Sequence, residues 1–117
     1  MTLMLKIVAV AAIFLGEALS ILAELIASRQ FRKAGGDLAM LWPMFLLVSL
    51  GGILLVCGYA LSYMQLKNIW IIVAISVGAI LVVEPILTLL LFRDVPTAGS
   101  LIGLMLGALG TLAAIFL

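Results

Sequence analysis

The sequence predicts an all-α membrane protein with four transmembrane helices packed as a bundle. Composition is the first reason. Hydrophobic residues make up 68% of the 117 residues and charged residues 9%, with a mean hydropathy of +1.50, whereas a soluble domain is about 45–50% apolar and about 25% charged. The second reason is that four apolar stretches are each long enough to cross roughly 30 Å of hydrocarbon. Between them only short polar segments remain, so we expect a single transmembrane domain.

The first helix is predicted over residues 3–28, with an extension to Lys33 left open. Its end is marked by the basic residues Arg29, Arg32 and Lys33, which are typical of the membrane interface. The pair Gly35 and Gly36 then stops the helix.

The second helix is predicted over 42–64, because Trp42 suits headgroup depth and Pro43 in a first turn needs no N–H donor. A tight turn, QLKN, leads to the third helix over 69–92, and RDVPTAGS leads to the fourth over 98–117. Positive charge is slightly higher in loops one and three, which favours both termini outside the cytoplasm. A bias this small is also typical of a chain that inserts in both orientations.

Several functional classes are not expected from this composition. The chain has no histidine and shows neither a catalytic constellation nor a phosphate-binding loop, so we predict no enzyme, no cofactor and no metal site. A net charge of +1 without a basic run argues against nucleic acid as a partner. The single cysteine, Cys57, cannot form an internal disulfide and is expected to pack as a small hydrophobe.

Two glutamates interrupt the first apolar stretch. Glu17 and Glu24 are seven residues apart, close to two helical turns, so they share one stripe with Ser20. An ionised side chain at the centre of a bilayer costs roughly 3–15 kcal/mol, which favours a cation or proton site inside the bundle. One alternative is that Glu24 lies at the interface and pairs with Arg29 or Arg32. Another is that Glu17 only hydrogen-bonds a neighbouring helix.

The third helix repeats this pattern in LVVEPILTLLL. Pro85 cannot donate to the carbonyl of Leu81, so we expect a bend that frees a backbone acceptor beside Glu84. Thr88 lies one turn further on the same face. This predicts a polar site, and the alternative is a kink that only shapes the bundle, with Glu84 paired to Arg93 or to a serine.

The fourth helix has no charge but carries a ridge of small residues that lets another helix approach closely in lipid. The ridge consists of Gly99, Gly103, Gly107 and Gly110. Its partner is either a second copy of the chain or another helix of the same chain. A weaker glycine surface is predicted on the second helix, at Gly51, Gly52 and Gly58.

The segment ILAELIASRQFRKAGGDLAMLWP resembles the first helix and loop of the small multidrug resistance family, where an LAE carboxylate precedes a basic residue, a glycine and LWP. With one inserted residue, Glu24 falls on the family's essential glutamate, Arg32 on its basic residue and Gly36 on its loop glycine. The segment VVEPILTLLLFRDVPTAGSLIGLMLGALG is similar to the closing helix pair of EamA-type repeats in the drug/metabolite transporter superfamily. Together the resemblance covers about residues 21–117.

This resemblance implies a proton-coupled transporter that works by alternating access as a dimer in the bacterial inner membrane. Its expected partners are membrane lipids, a small organic cation or amphiphile, and a second copy or another membrane subunit. Glu24 would bind substrate and proton in competition. Glu17, Ser20 and Glu84 are secondary polar sites, and Glu17, which has no counterpart in the family, is predicted only from the stripe that it shares with Glu24. The third helix lacks the family's aromatic pair, which argues against a planar aromatic cation. The alternatives are a non-transporting accessory subunit of a larger membrane complex and a component of a lipid-linked-sugar flippase.

Overall fold

The computed structural model describes residues 2–33 and 35–117, and in that part of the chain all regular structure is helical. The four long helices are α1 (Thr2–Lys33), α2 (Trp42–Leu66), α3 (Ile69–Phe92) and α4 (Ala98–Phe116), and a short 3-10 turn (Leu38–Leu41) precedes α2. Each long helix has the length and apolarity needed to cross a membrane. The predicted fold class, an all-α protein with four candidate transmembrane helices, is confirmed.

The ends of the helices follow from local sequence. Beyond α1, Gly35 and Gly36 have φ values of +70° and +89°, and the Gly36 N–H donates to the Phe31 carbonyl at 3.0 Å. A positive φ in this range is the left-handed backbone conformation, which glycine adopts without strain and other residues adopt at a cost. The glycine pair therefore ends the helix here. Asn68 and Thr97 begin α3 and α4, because the side-chain oxygen of each accepts a backbone N–H of the first turn.

Helices α1, α2 and α3 all contact one another, and α4 packs against α3. The most extensive contact joins α1 to α2, then α1 to α3, and among the described helices the backbone of α4 approaches α3 alone. The molecule measures 48 × 34 × 18 Å, so its thinnest dimension is less than two helix diameters of about 10–12 Å. This flat arrangement buries few side chains, and α4 has no buried residue.

The closest helix contact within the chain is between α1 and α2 and runs through glycines. A Cβ atom added at Gly51 would lie 2.9 Å from the Gly16 carbonyl oxygen, and one added at Gly58 would lie 2.8 Å from Ile13 Cγ1. At Gly52 an added Cβ would meet nothing within 4 Å. The surface that the sequence predicts as the weaker one on α2 therefore packs tightly against α1, through Gly51 and Gly58.

The glycine ridge of α4 is divided between two environments. Gly107 packs on α3, since a Cβ there would lie 3.1 Å from Leu81 Cδ2. Gly99, Gly103 and Gly110 have no atom within 4 Å of an added Cβ. Packing against another helix of the same chain therefore accounts for Gly107, while the other three glycines of the ridge are open, with no such contact among the described residues.

Candidate functional site

Glu17 is the glutamate that the structure brings into contact with another helix. It lies at the centre of the 32-residue α1 and is half-buried. The hydroxyl of Ser76 on α3, a residue only 4% exposed, donates to Glu17 Oε1 at 2.5 Å. This distance falls in the range of hydroxyl-to-carboxylate hydrogen bonds. A polar contact therefore joins α1 to α3 near the middle of the span.

The stripe predicted on α1 divides among three environments. Ser20 packs against Gly51 of α2, and its hydroxyl donates to the Gly16 carbonyl at 2.9 Å. Glu24 is exposed, and the Ser28 hydroxyl donates to its backbone carbonyl rather than to its carboxylate. Of the three residues predicted to share a site on this helix, the structure places only Glu17 against α3.

A cavity of about 470 Å³ opens between α3 and α4. The two helices touch where Gly107 meets Leu81 and where Thr111 lies 3.2 Å from the Cβ position of Gly78. The cavity lies next to this contact, at the level of Pro85. Its polar lining consists of Glu84, Thr88, Asp94 and Ser100, and most of the remaining wall is apolar.

Glu84 is the acidic residue of α3 that lines this cavity. It is half-buried, and the hydroxyl of Thr88 donates to its backbone carbonyl at 2.7 Å, so the threonine satisfies the backbone and not the carboxylate. Within residues 2–33 and 35–117, Glu17 is the one glutamate whose side chain accepts a hydrogen bond. Pro85, the next residue, has no N–H to donate to the Leu81 carbonyl. An acidic group and a backbone acceptor thus lie together at membrane depth.

The distribution of charge leaves both mid-span carboxylates without a basic neighbour at their own depth. The six basic residues lie at helix ends or in the loops: Lys6, Arg29, Arg32, Lys33, Lys67 and Arg93. The fourth helix contains no ionisable side chain at all. A proton or a bound cation is therefore the simplest way to neutralise a carboxylate at this depth. In the described ranges no group of three acidic, histidine or cysteine side chains is placed to hold a metal ion.

The sequence did not predict three polar residues of these sites: Ser76 beside Glu17, and Asp94 and Ser100 at the cavity. Ser76 is separated from Glu17 by 59 positions, so no local spacing pairs them. Asp94 belongs to a loop, where an acidic residue is ordinarily solvated, and only the fold places it at the cavity. A carboxylate at membrane depth was the usable signal, and it singled out Glu17, Glu24 and Glu84 alike.

Comparison of the chain with protein-family models, with curated proteins and with solved structures gives no match. The resemblance to the small multidrug resistance family therefore depends on the quoted motifs alone.

Proposed function

We propose that this chain is a subunit of a transporter of the bacterial inner membrane, which moves small organic cations or amphiphiles by proton-coupled alternating access. One observation carries the proposal. The cavity between α3 and α4 has largely apolar walls, and it is lined by Glu84, whose carboxylate accepts no hydrogen bond from any described residue.

The chemistry of the lining matches that of an organic cation. Such a molecule has an apolar surface, which the walls formed by Leu81, Pro85 and Leu104 can bury, and a charge, which Glu84 can balance. The same charge balance would offset the cost of holding a carboxylate in hydrocarbon. Asp94 is exposed beside the cavity, where it would raise the local concentration of cations from water.

The flat helix arrangement favours a dimer. The four helices present broad apolar faces, and alternating access needs a cavity that opens to each side of the membrane in turn. Gly99, Gly103 and Gly110 remain open on α4, and small residues of this kind allow close helix contact in lipid. A second copy packed along this open ridge would complete the wall of the cavity, because Gly103 lines it.

Calorimetry with a matched ligand pair tests the proposed site. Phenyltrimethylammonium carries its charge on a tetrahedral nitrogen and not in a planar ring, and its neutral isostere tert-butylbenzene has a similar shape, so preferential binding of the cation measures the contribution of charge. Glu84→Gln retains the volume of the side chain and should weaken cation binding at least about tenfold, the equivalent of losing 1.4 kcal/mol. Equal binding of both ligands, or an unchanged affinity in Glu84→Gln, would show that the cavity is not the cation site.

The accessory-subunit alternative is favoured by a different observation, the absence of any buried residue in α4 among the described residues. On that proposal the open ridge packs into a larger membrane complex, such as a lipid-linked-sugar flippase. Purification in mild detergent separates the two. A second membrane protein in stoichiometric amount, together with no binding of phenyltrimethylammonium, would favour the accessory role.

A further inference from the structure

We propose that Glu17 and Ser76 form a proton-binding site that is separate from the cation cavity. Its coupling to cation binding rests on the transport function proposed above, whereas the proton site itself does not. The proposal differs from a mechanism in which proton and substrate compete for one carboxylate.

The surroundings of Glu17 leave a proton as the simplest means of neutralising it. On α1 itself the nearest ionisable groups are Glu24, about 10 Å further along the axis, and Lys6, about 16 Å before it. On α3 the ionisable side chain is Glu84, and α4 has none. The ionisable groups that α2 adds are exposed Cys57, half-buried Tyr59 and exposed Tyr63. None of these groups supplies a positive charge at the depth of Glu17.

The second carboxylate oxygen of Glu17 is available to receive the proton. Ser76 donates to Oε1. Among the described residues, the fully buried side-chain polar atom without a hydrogen-bond partner is Ser62 Oγ. Glu17 Oε2 also accepts no hydrogen bond from a described residue, but it is not fully buried. A hydronium ion in the aqueous phase gives its proton to the carboxylate and leaves water behind. The Ser76 hydroxyl can donate to the carboxyl group in either state, which makes Ser76 a positioning residue.

The proton site and the cation cavity are on different faces of α3. Ser76 and Glu84 are eight residues apart, which corresponds to about 12 Å along the helix and about 80° around it. Ser76 contacts α1, whereas Glu84 lines the cavity between α3 and α4. A proton on Glu17 therefore cannot occupy the place of the cation. The two can influence each other only through α3, so their coupling must be finite.

Finite coupling has a measurable signature. Competition for one carboxylate weakens cation affinity about tenfold for each pH unit with no lower limit as the pH falls. Two coupled sites instead change the affinity by a bounded factor of roughly 5–150-fold. Protonation of Glu84 weakens cation binding in the parent and in Glu17→Gln alike, so the ratio of the two affinities isolates the effect of Glu17. Phenyltrimethylammonium binding to the protein in nanodiscs, measured by calorimetry across pH, should give a ratio that is constant at low pH and at high pH, with one step between the two levels.

Variants of both residues test the assignment. Glu17→Gln retains the acceptor for Ser76 and should lack this step, while Ser76→Ala should keep the step and move its midpoint. Ser49→Ala is a matched control, because the Ser49 hydroxyl bonds only the Phe45 carbonyl of its own helix. A ratio of parent affinity to Glu17→Gln affinity that does not change with pH overturns the proposal.

Infrared spectroscopy separates this inference from the proposed transport function. The C=O stretch of a protonated carboxyl group is recorded as a function of pH without any ligand, in the parent and in Glu17→Gln. Loss of one titrating band in Glu17→Gln supports the proton site even if phenyltrimethylammonium does not bind, an outcome that would refute only the cation cavity. Identical spectra in parent and variant overturn the proton site.

Discussion

Replacing Gly51 with alanine should loosen the contact between α1 and α2, whereas alanine at the adjacent Gly52 should not. The added Cβ at Gly51 would lie 2.6 Å from Ser20 Oγ, 2.9 Å from the Gly16 oxygen and 3.1 Å from the Ser20 nitrogen. The serine hydroxyl can rotate away, but two of these atoms are backbone, so the helices must separate by about 0.5 Å to restore ordinary contact. Overpacking of this kind costs about 1–3 kcal/mol.

Gly52→Ala is the control for the competing effect of helix propensity. Alanine is favoured over glycine by about 1 kcal/mol in a helix interior, and both positions lie inside α2. The difference in free energy of unfolding between Gly51→Ala and Gly52→Ala should therefore equal the overpacking cost alone. Unfolding in mixed micelles, followed by circular dichroism as the fraction of sodium dodecyl sulfate rises, measures it. A Gly51→Ala protein as stable as Gly52→Ala would refute the close contact.

Three further predictions concern α4, Pro85 and Glu24. Gly103→Leu should shift the protein to monomer in light scattering, because a Cβ added at Gly103 would meet no described atom within 4 Å, and equal masses for parent and variant would exclude the ridge as the dimer contact. Gly107→Leu should instead lower the free energy of unfolding, because Leu81 lies 3.1 Å from the added Cβ. Pro85→Ala restores an N–H for the Leu81 carbonyl and should stay folded while losing cation flux into liposomes; unchanged flux would make the proline incidental. Glu24→Gln should leave phenyltrimethylammonium affinity within about twofold of the parent, because Glu24 is exposed and outside the cavity; loss of binding would support the assignment from family resemblance.

The limits of α2, α3 and α4 agree with the predicted ones to within two residues, because they depend on local chemistry. Apolar runs in lipid must be helical, since every backbone polar group has to be satisfied within the segment. Gly35 and Gly36 end α1, Asn68 begins α3 and Thr97 begins α4, all through contacts within a few residues. The extension of α1 to Lys33, which the sequence left open, is present in the structure.

The order of the helices and the partners of the carboxylates could not be predicted in this way. Seven-residue spacing places Glu17 and Glu24 on one stripe. Positions at different heights along that stripe can nevertheless face different neighbours, namely α2, α3 or lipid. Which part faces which neighbour depends on the packing of Gly16 against α2 and of Ser76 against Glu17, contacts between residues far apart in the chain. The pattern identified the carboxylates, and only the fold distinguishes the one held between helices from the exposed one.

Gly103 connects the two halves of the proposed function. It belongs to the open part of the ridge, and it also lines the cavity that holds Glu84. A helix that packs on this ridge must therefore approach the cavity and form part of its wall, so association and cation binding cannot be independent. For the same reason a monomer would leave the Glu84 carboxylate facing lipid on the side where the ridge is open, at a cost that grows with its depth in the hydrocarbon. The unpaired carboxylate thus favours association as much as the glycines do.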